Sequence, residues 1–307
     1  MFQTVLSLPS FAKINWSLRV LGRRADGLHE VRTILQTIDL HDRLQFALRD
    51  NEEIRLTCDS PHIPLDEGNL IVRAALRLKE RCAARKGASI HLEKVIPVGA
   101  GLGGGSSNAV IALIGLARLW EIGLGKPDLR ELAAGLGADV PYFLTGGTAL
   151  GSGVGVEVKP VTEVVAKHLL VLNPGVEIST ARAYGALNSP ALTKADYDTI
   201  LSISCADEQF IDFDPDALHN DFEPVIFRRE PEIERARNAL LDTGAKACLL
   251  AGSGSSVFGV FDNQEAQERA VDALGGERSW RVFRCATLAR TEYLSALGDC
   301  AAPLKRV

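Results

Sequence analysis

Twelve consecutive residues carry the clearest chemistry in the chain: Pro97-Val98-Gly99-Ala100-Gly101-Leu102-Gly103-Gly104-Gly105-Ser106-Ser107-Asn108. Five of them are glycines within seven positions, and two serines, an asparagine and an apolar helical pattern follow. Glycines let backbone N–H groups approach phosphate oxygens with no Cβ in the way, and the start of a helix adds partial positive charge. Ser106 and Ser107 can donate to a phosphate or reach a magnesium ion. Such a turn can also serve close packing alone, but this glycine density followed by Ser-Ser-Asn favours an anion site. Three familiar nucleotide patterns do not account for it. Gly99, Gly101 and Gly104 fit G-x-G-x-x-G, yet Glu121, at the distance of the ribose-binding acid, ends a helix with no strand before it. A P-loop needs Lys where Gly105 stands. The protein-kinase H-R-D and D-F-G motifs are missing from the sequence.

The loop needs a strand before it and a helix after it. Ser89–Val95 alternates as a strand, and helical spacing continues from the loop to about Trp120. Upstream, Ala12, Ile14, Trp16, Leu18 and Val20 alternate with Lys13, Asn15, Ser17 and Arg19. The period of two predicts a half-buried strand with Lys13 and Asn15 on one face, about 7 Å apart. Asp26-Gly27 marks a turn. Short strands are expected at Leu44–Leu48 and Ile54–Cys58. Ile71, Ala74, Ala75, Leu78 and Cys82 have helical spacing, with Gly87 as the stop. Asp128 with Glu131 reads as a capping box for a short helix that Gly137 ends. Glycine-rich strands fill about Gly146–Val158. Beyond Pro160 the pattern changes: strand His168–Leu172, helix Pro231–Asp242, strand Ala247–Leu250, a Gly-Ser turn, strand Ser256–Phe261, helix Glu265–Leu274 and strand Trp280–Cys285. Extra helices aside, the order is β-α-β-β-α-β, the ferredoxin-like pattern. Two units follow, 1–157 and 158–307, in an α+β chain.

Composition agrees with an ordinary globular protein of about two domains. The chain has 307 residues, 46% hydrophobic and 24% charged, with a net charge of −5. That charge excludes a nucleic-acid binder that works through a broad basic surface. Met1–Phe11 has no positive charge and reads as no leader peptide. The uncharged run between Lys94 and Arg118 is broken by the glycine loop, so no membrane span is expected. The six cysteines are scattered without a C-x-x-C pair, which suits buried thiols, no metal site and a cytoplasmic setting.

The loop, extended to Ala109, resembles the ATP-binding loop of the GHMP kinases. Pro9-Ser10-Phe11-Ala12-Lys13-Ile14-Asn15 is similar to their first motif, and Leu250-Ala251-Gly252-Ser253-Gly254-Ser255-Ser256-Val257-Phe258 to their third. Arg24–Glu30, Leu136–Phe143 and Asn220–Pro224 resemble the subfamily that phosphorylates the 2-hydroxyl of 4-diphosphocytidyl-2-C-methyl-D-erythritol. The resemblance implies a ribosomal-protein-S5-like ATP domain followed by a ferredoxin-like domain, ATP with Mg²⁺, a cytidyl small-molecule substrate, and a monomer or homodimer. Asp139 would then be the general base; from the sequence alone it reads as a cap ahead of Pro141. Lys13, otherwise a solvated strand lysine, would stabilise charge on the transferring group, with Asn15 beside it on the substrate. His29 would read cytosine, with Tyr184 stacking on the base. Leu28 stands where the subfamily usually has an aromatic ring, a loss of about 1 kcal/mol of stacking. Asn69 and Lys94 fall at positions used around the adenine nucleotide. Two other readings stay open: a GHMP kinase for another alcohol, and a nucleotide-binding regulator without catalysis. A dinucleotide oxidoreductase is a more distant third.

Overall fold

The structure, a computed structural model, describes residues 6–187, 189–192 and 218–305. Residues 1–5 and Cys205, used above in the leader and cysteine readings, lie outside them. Two long antiparallel strands, β1 (Leu6–Arg23) and β2 (His29–Arg49), form the spine of a large mixed sheet. The hairpin between them turns at Asp26-Gly27, as the sequence predicts. Sheet order is β3 (Ile54–Cys58), β4 (Gly87–Glu93), β2, β1 and β8 (His219–Asn220). The first half of β2 also pairs with β5 (Thr148–Ser152), which pairs with β6 (Glu157–Pro160).

One expectation for β1 fails midway. Asn15 pairs with Leu35 and Ser17 with Ile34, so Trp16 is an extra residue in β1. Such a bulge shifts side-chain alternation by one. Ala12, Ile14 and Trp16 enter one apolar core, whereas Leu18 joins another and lines the same cleft as Lys13 and Asn15. Lys13 and Asn15 do share a face, but that face is covered, with Lys13 only 3% exposed.

Three helices cover the sheet: α1 (Leu70–Cys82), α2 (Gly104–Leu119) and α3 (Lys126–Ala134). α1 ends at Ala83 in the left-handed region, not at Gly87, which instead opens β4. α3 starts one turn earlier than expected. Gly125 is its N-cap, Asp128 accepts from the Gly125 N–H at 3.2 Å, and the helix ends at Gly135 rather than Gly137. Helix α2 is apolar all round because it is sandwiched between α1 and the sheet.

The second sheet has the order β11 (Arg281–Cys285), β7 (Leu169–Asn173), β10 (Val257–Val260) and β9 (Ala247–Leu250), all antiparallel. That is the ferredoxin-like arrangement expected. Around it lie α4 (Thr180–Ala186), α5 (Glu223–Arg229), α6 (Pro231–Asp242) and α7 (Gln264–Leu274). A division after residue 157 falls inside β6. The two halves are also interleaved. β8 pairs with β1, and Tyr293, Leu297, Cys300, Ala301 and Leu304 fill the first core. Cys248, Cys285 and Cys300 are buried thiols, as expected, while Cys58 and Cys82 are half-buried.

Candidate active site

The glycine loop wraps the N-terminus of α2 and faces a cleft of about 530 Å³. Gly99, Gly101 and Gly103 have φ of 60°, 76° and 70°, which L side chains rarely adopt. Alternating left- and right-handed backbone turns successive N–H groups into a concave anion nest. Here the nest stands at the positive end of a 16-residue helix. The third motif closes on it from the second sheet: the Ser256 N–H donates to the Ala100 carbonyl at 3.1 Å. A Cβ at Gly101 would collide with the Ala251 carbonyl, so only glycine allows this approach. Asn220 braces the turn, its side-chain N–H donating to the Leu250 and Gly252 carbonyls, each at 2.8 Å. Asp221 accepts from the Val20 N–H at 2.6 Å and Glu223 from the Leu250 N–H at 2.8 Å. The Asn220–Pro224 stretch is thus a clamp between the sheets.

Beside the loop stand Lys13 and Asp139. The Lys13 backbone N–H donates to the Leu102 carbonyl at 2.9 Å, which ties β1 to the loop. Its ammonium donates to Asn15 Oδ1 at 2.9 Å and lies 3.6 Å from Asp139 Oδ2. Asp139 precedes the short 3-10 helix Pro141–Leu144, which Tyr142 anchors by bonds to Thr37 and the Gly147 carbonyl. The Asp139 side chain stays 47% exposed toward the cleft. A half-solvated carboxylate paired loosely with a buried ammonium can accept a proton from a ligand; the lysine can hold developing negative charge.

A second pocket of about 820 Å³ shares Ala138, Val154 and Tyr184 with the cleft. His29, Leu28 and Tyr184 line it, so the structure brings Tyr184 to the Leu28–His29 pair from 155 residues away. The His29 and Tyr184 rings lie 4.9 Å apart at 30°, and Phe222 meets Tyr184 edge-on at 4.9 Å. Partial burial, then the Arg23 charge, lowers the His29 pKa and keeps the imidazole neutral at pH 7. Burial pushes the Tyr184 phenol up, so it also stays neutral. Leu28 is 53% exposed at the rim.

Other candidates stand differently. Pro97, Val98, Gly99, Ala100, Gly101, Leu102, Gly103, Gly104, Gly105 and Ser106 all line the cleft. Ser107 does not: it is fully buried and accepts from the Ser10 hydroxyl at 2.8 Å. One step along a helix turns a side chain by 100°, and here that carries it into the core. Asn69 lines the cleft as the N-cap of α1, accepting from the Ile71 N–H at 2.9 Å. Lys94 is no surface charge. Its ammonium donates to Asp42 at 2.9 and 3.1 Å and to the Ile96 carbonyl. Burial outweighs the pull of Asp42 and lowers its pKa. Asp42, fully buried, also accepts from the Val95 and Ile96 N–H groups at 2.8 Å and from Asn108 at 3.1 Å. The sequence reading missed Asp42 and Thr33, polar residues among others in β2 with no local pattern to mark them.

Two family models match the chain. GHMP kinases N terminal domain matches residues 69–147, and GHMP kinases C terminal matches 209–278. The 4-diphosphocytidyl-2-C-methyl-D-erythritol kinase of Citrifermentans bemidjiense is 40% identical over 275 residues, 90% of this chain and 96% of that protein. The chain belongs to the 4-diphosphocytidyl-2-C-methyl-D-erythritol kinase family of GHMP kinases. The like-named protein of Geobacter sp. (strain M21) is also 40% identical, over 90% of this chain and 96% of its own length. A crystal structure of 4-(cytidine 5'-diphospho)-2C-methyl-D-erythritol kinase superposes with a TM-score of 0.72 at 33% identity, covering 92% of this chain and 99% of that one. In this kinase family frame, no helix among the described residues is long and apolar enough to cross a membrane.

Proposed function

We propose that the protein transfers the γ-phosphoryl group of ATP to the 2-hydroxyl of 4-diphosphocytidyl-2-C-methyl-D-erythritol. The observation that carries the reading is the place of the Lys13–Asp139 pair, where the phosphate nest meets the His29–Tyr184 pocket. A kinase needs its proton acceptor between two bound phosphorylated molecules, and Asp139, in the cleft next to Ala138 that both pockets share, supports that role. Phosphates of ATP fit the N–H-lined loop from Gly99 to Ser106. The cytosine fits against Tyr184, and a neutral His29 leaves one ring nitrogen to accept from the exocyclic amine.

Asp139 takes the proton from the 2-hydroxyl as its oxygen bonds to the γ-phosphorus and ADP departs. Lys13 orients Asp139 and holds charge on the transferring group. Asn15 holds Lys13. The turn Gly252–Ser253 lines the cleft where it packs against Gly101 of the loop. Among the described residues no group of three or more His, Cys, Asp or Glu side chains could hold a metal alone. Mg²⁺ would be carried mainly on the phosphates, and Ser106 and Asp139, which both line the cleft, would be the residues to contact it. When bound, Mg²⁺ supplies neutralisation of phosphate charge.

The test is ATP consumption with Mg²⁺ and the cytidyl compound, beside an Asp139→Ala control and a panel of other alcohols. Turnover on the cytidyl compound alone, lost in the control, bears out substrate and base together. Turnover only on another alcohol keeps the kinase and removes this substrate.

A further inference from the structure

Lys13 is only as well placed as Asn15, and Asn15 is only as well placed as Thr33. The Thr33 hydroxyl donates to the Ser17 carbonyl at 2.7 Å. A carbonyl can only accept, so the single hydroxyl proton is spent there and the oxygen lone pairs remain. Into one of them Asn15 Nδ2 donates at 2.7 Å. The amide is thereby oriented, and Asn15 Oδ1 faces the Lys13 ammonium at 2.9 Å. A reversed amide would aim N–H at ammonium, donor against donor.

Two features hold Thr33 itself. The Trp16 bulge lies between Asn15 and Ser17, on the strand segment that supplies both partners of Thr33. On its other flank β2 pairs Thr33 with Gly151 of β5, and a Cβ at Gly151 would come within 2.9 Å of Thr33 Cγ2. Glycine there leaves room for the methyl, and the methyl against that strand leaves the hydroxyl one direction. Thr33 is 7% exposed.

We infer that Thr33 is a positioning residue for phosphoryl transfer: it sets the Asn15 amide, which sets Lys13 against Asp139. The inference rests on the kinase reading above. It assigns Thr33 no contact with either substrate, although Thr33 itself lines the cleft beside Lys13 and Asn15.

A double-mutant cycle in kcat tests it, with parent, Thr33→Val, Asn15→Ala and the double variant. Val keeps the shape and removes the hydroxyl. Thr33→Val is expected to lower kcat about tenfold with KM for ATP and for the alcohol changed less than twofold. Thr33→Ser, which keeps the hydroxyl, is expected to restore kcat to within threefold of the parent. In the Asn15→Ala background the Thr33→Val change is expected to cost less than twofold. Independent, multiplicative losses would overturn the inference, as would a rise in KM for the alcohol that exceeds the fall in kcat. Thermal melting of every variant separates these results from misfolding, since a merely structural threonine lowers Tm without obeying the cycle. If the parent turns over only another alcohol, the substrate assignment fails while the cycle, run on that alcohol, still decides Thr33.

Discussion

Two Lys–Asp pairs flank the same cleft, and they are built for opposite ends. Lys94 and Asp42 are 2.9 Å apart and buried, and Asp42 is saturated: it accepts from an ammonium, two backbone N–H groups and an amide. Lys13 and Asp139 are 3.6 Å apart, with the carboxylate half in solvent and Lys13 its one partner among the described residues. A saturated pair has no hydrogen-bonding capacity left for a ligand, and disturbing it leaves a buried charge alone. An unsaturated pair holds its charge in place and keeps lone pairs for a substrate. Spare capacity, more than burial or charge, separates the chemical pair from the structural one.

The contrast breaks most clearly at the carboxylates. Asp139→Asn is expected to lower kcat roughly 100- to 10,000-fold, with Tm nearly unchanged because the residue is half exposed; steady-state kinetics and a thermal melt check both. If the melt falls as far as the activity, the pair is structural after all. Asp42→Ala is expected to do the reverse, costing about 3–5 kcal/mol in urea unfolding at pH 7 because Lys94 is left buried without its counter-charge. Replacing both, Asp42→Leu with Lys94→Met, is expected to recover only the part due to the stranded charge, because the Val95 and Ile96 N–H groups and the Asn108 amide still lack their acceptor.

Smaller effects sharpen the same idea at the base pocket, where groups are also left with capacity to spare. His29 has its pKa lowered below the usual 6.5, so it stays neutral through pH 7. Substrate that needs the neutral ring binds at the expense of protonation. KM for the cytidyl compound is therefore expected to be flat from pH 8 to about 6.5 and to rise as pH falls through the lowered pKa. His29→Gln is expected to remove that limb of the KM profile. Leu28→Tyr adds a ring at an exposed rim beside Tyr184 and is expected to lower the same KM up to about fivefold, the worth of some 1 kcal/mol of stacking. An unchanged KM would mean that the rim does not cover the base.

Much of this was open to reading from the residues. The nest was legible because glycine density, serines and a helix start are local and need no partner. Strands β3 and β9 and helix Pro231–Asp242 match their expected bounds, since alternation or capping fixes them within a few residues. Lys13 beside Asn15 follows from a period of two. Ser107 misled because neighbouring serines in a helix look alike until the core side is known. Leu18 misled because a bulge leaves no mark in composition.

The sequence by itself determined the phosphate loop, the βαββαβ order of the second unit and, through three ordered motifs, the kinase family. Tertiary structure alone decided which of two lysines is free to act. Asp42 comes from β2 and its donors from the loop after β4 and from α2; Asp139 reaches Lys13 across 126 residues of chain. Hydrogen-bond saturation is a property of atoms that meet only after folding, so no local pattern could have told the two pairs apart.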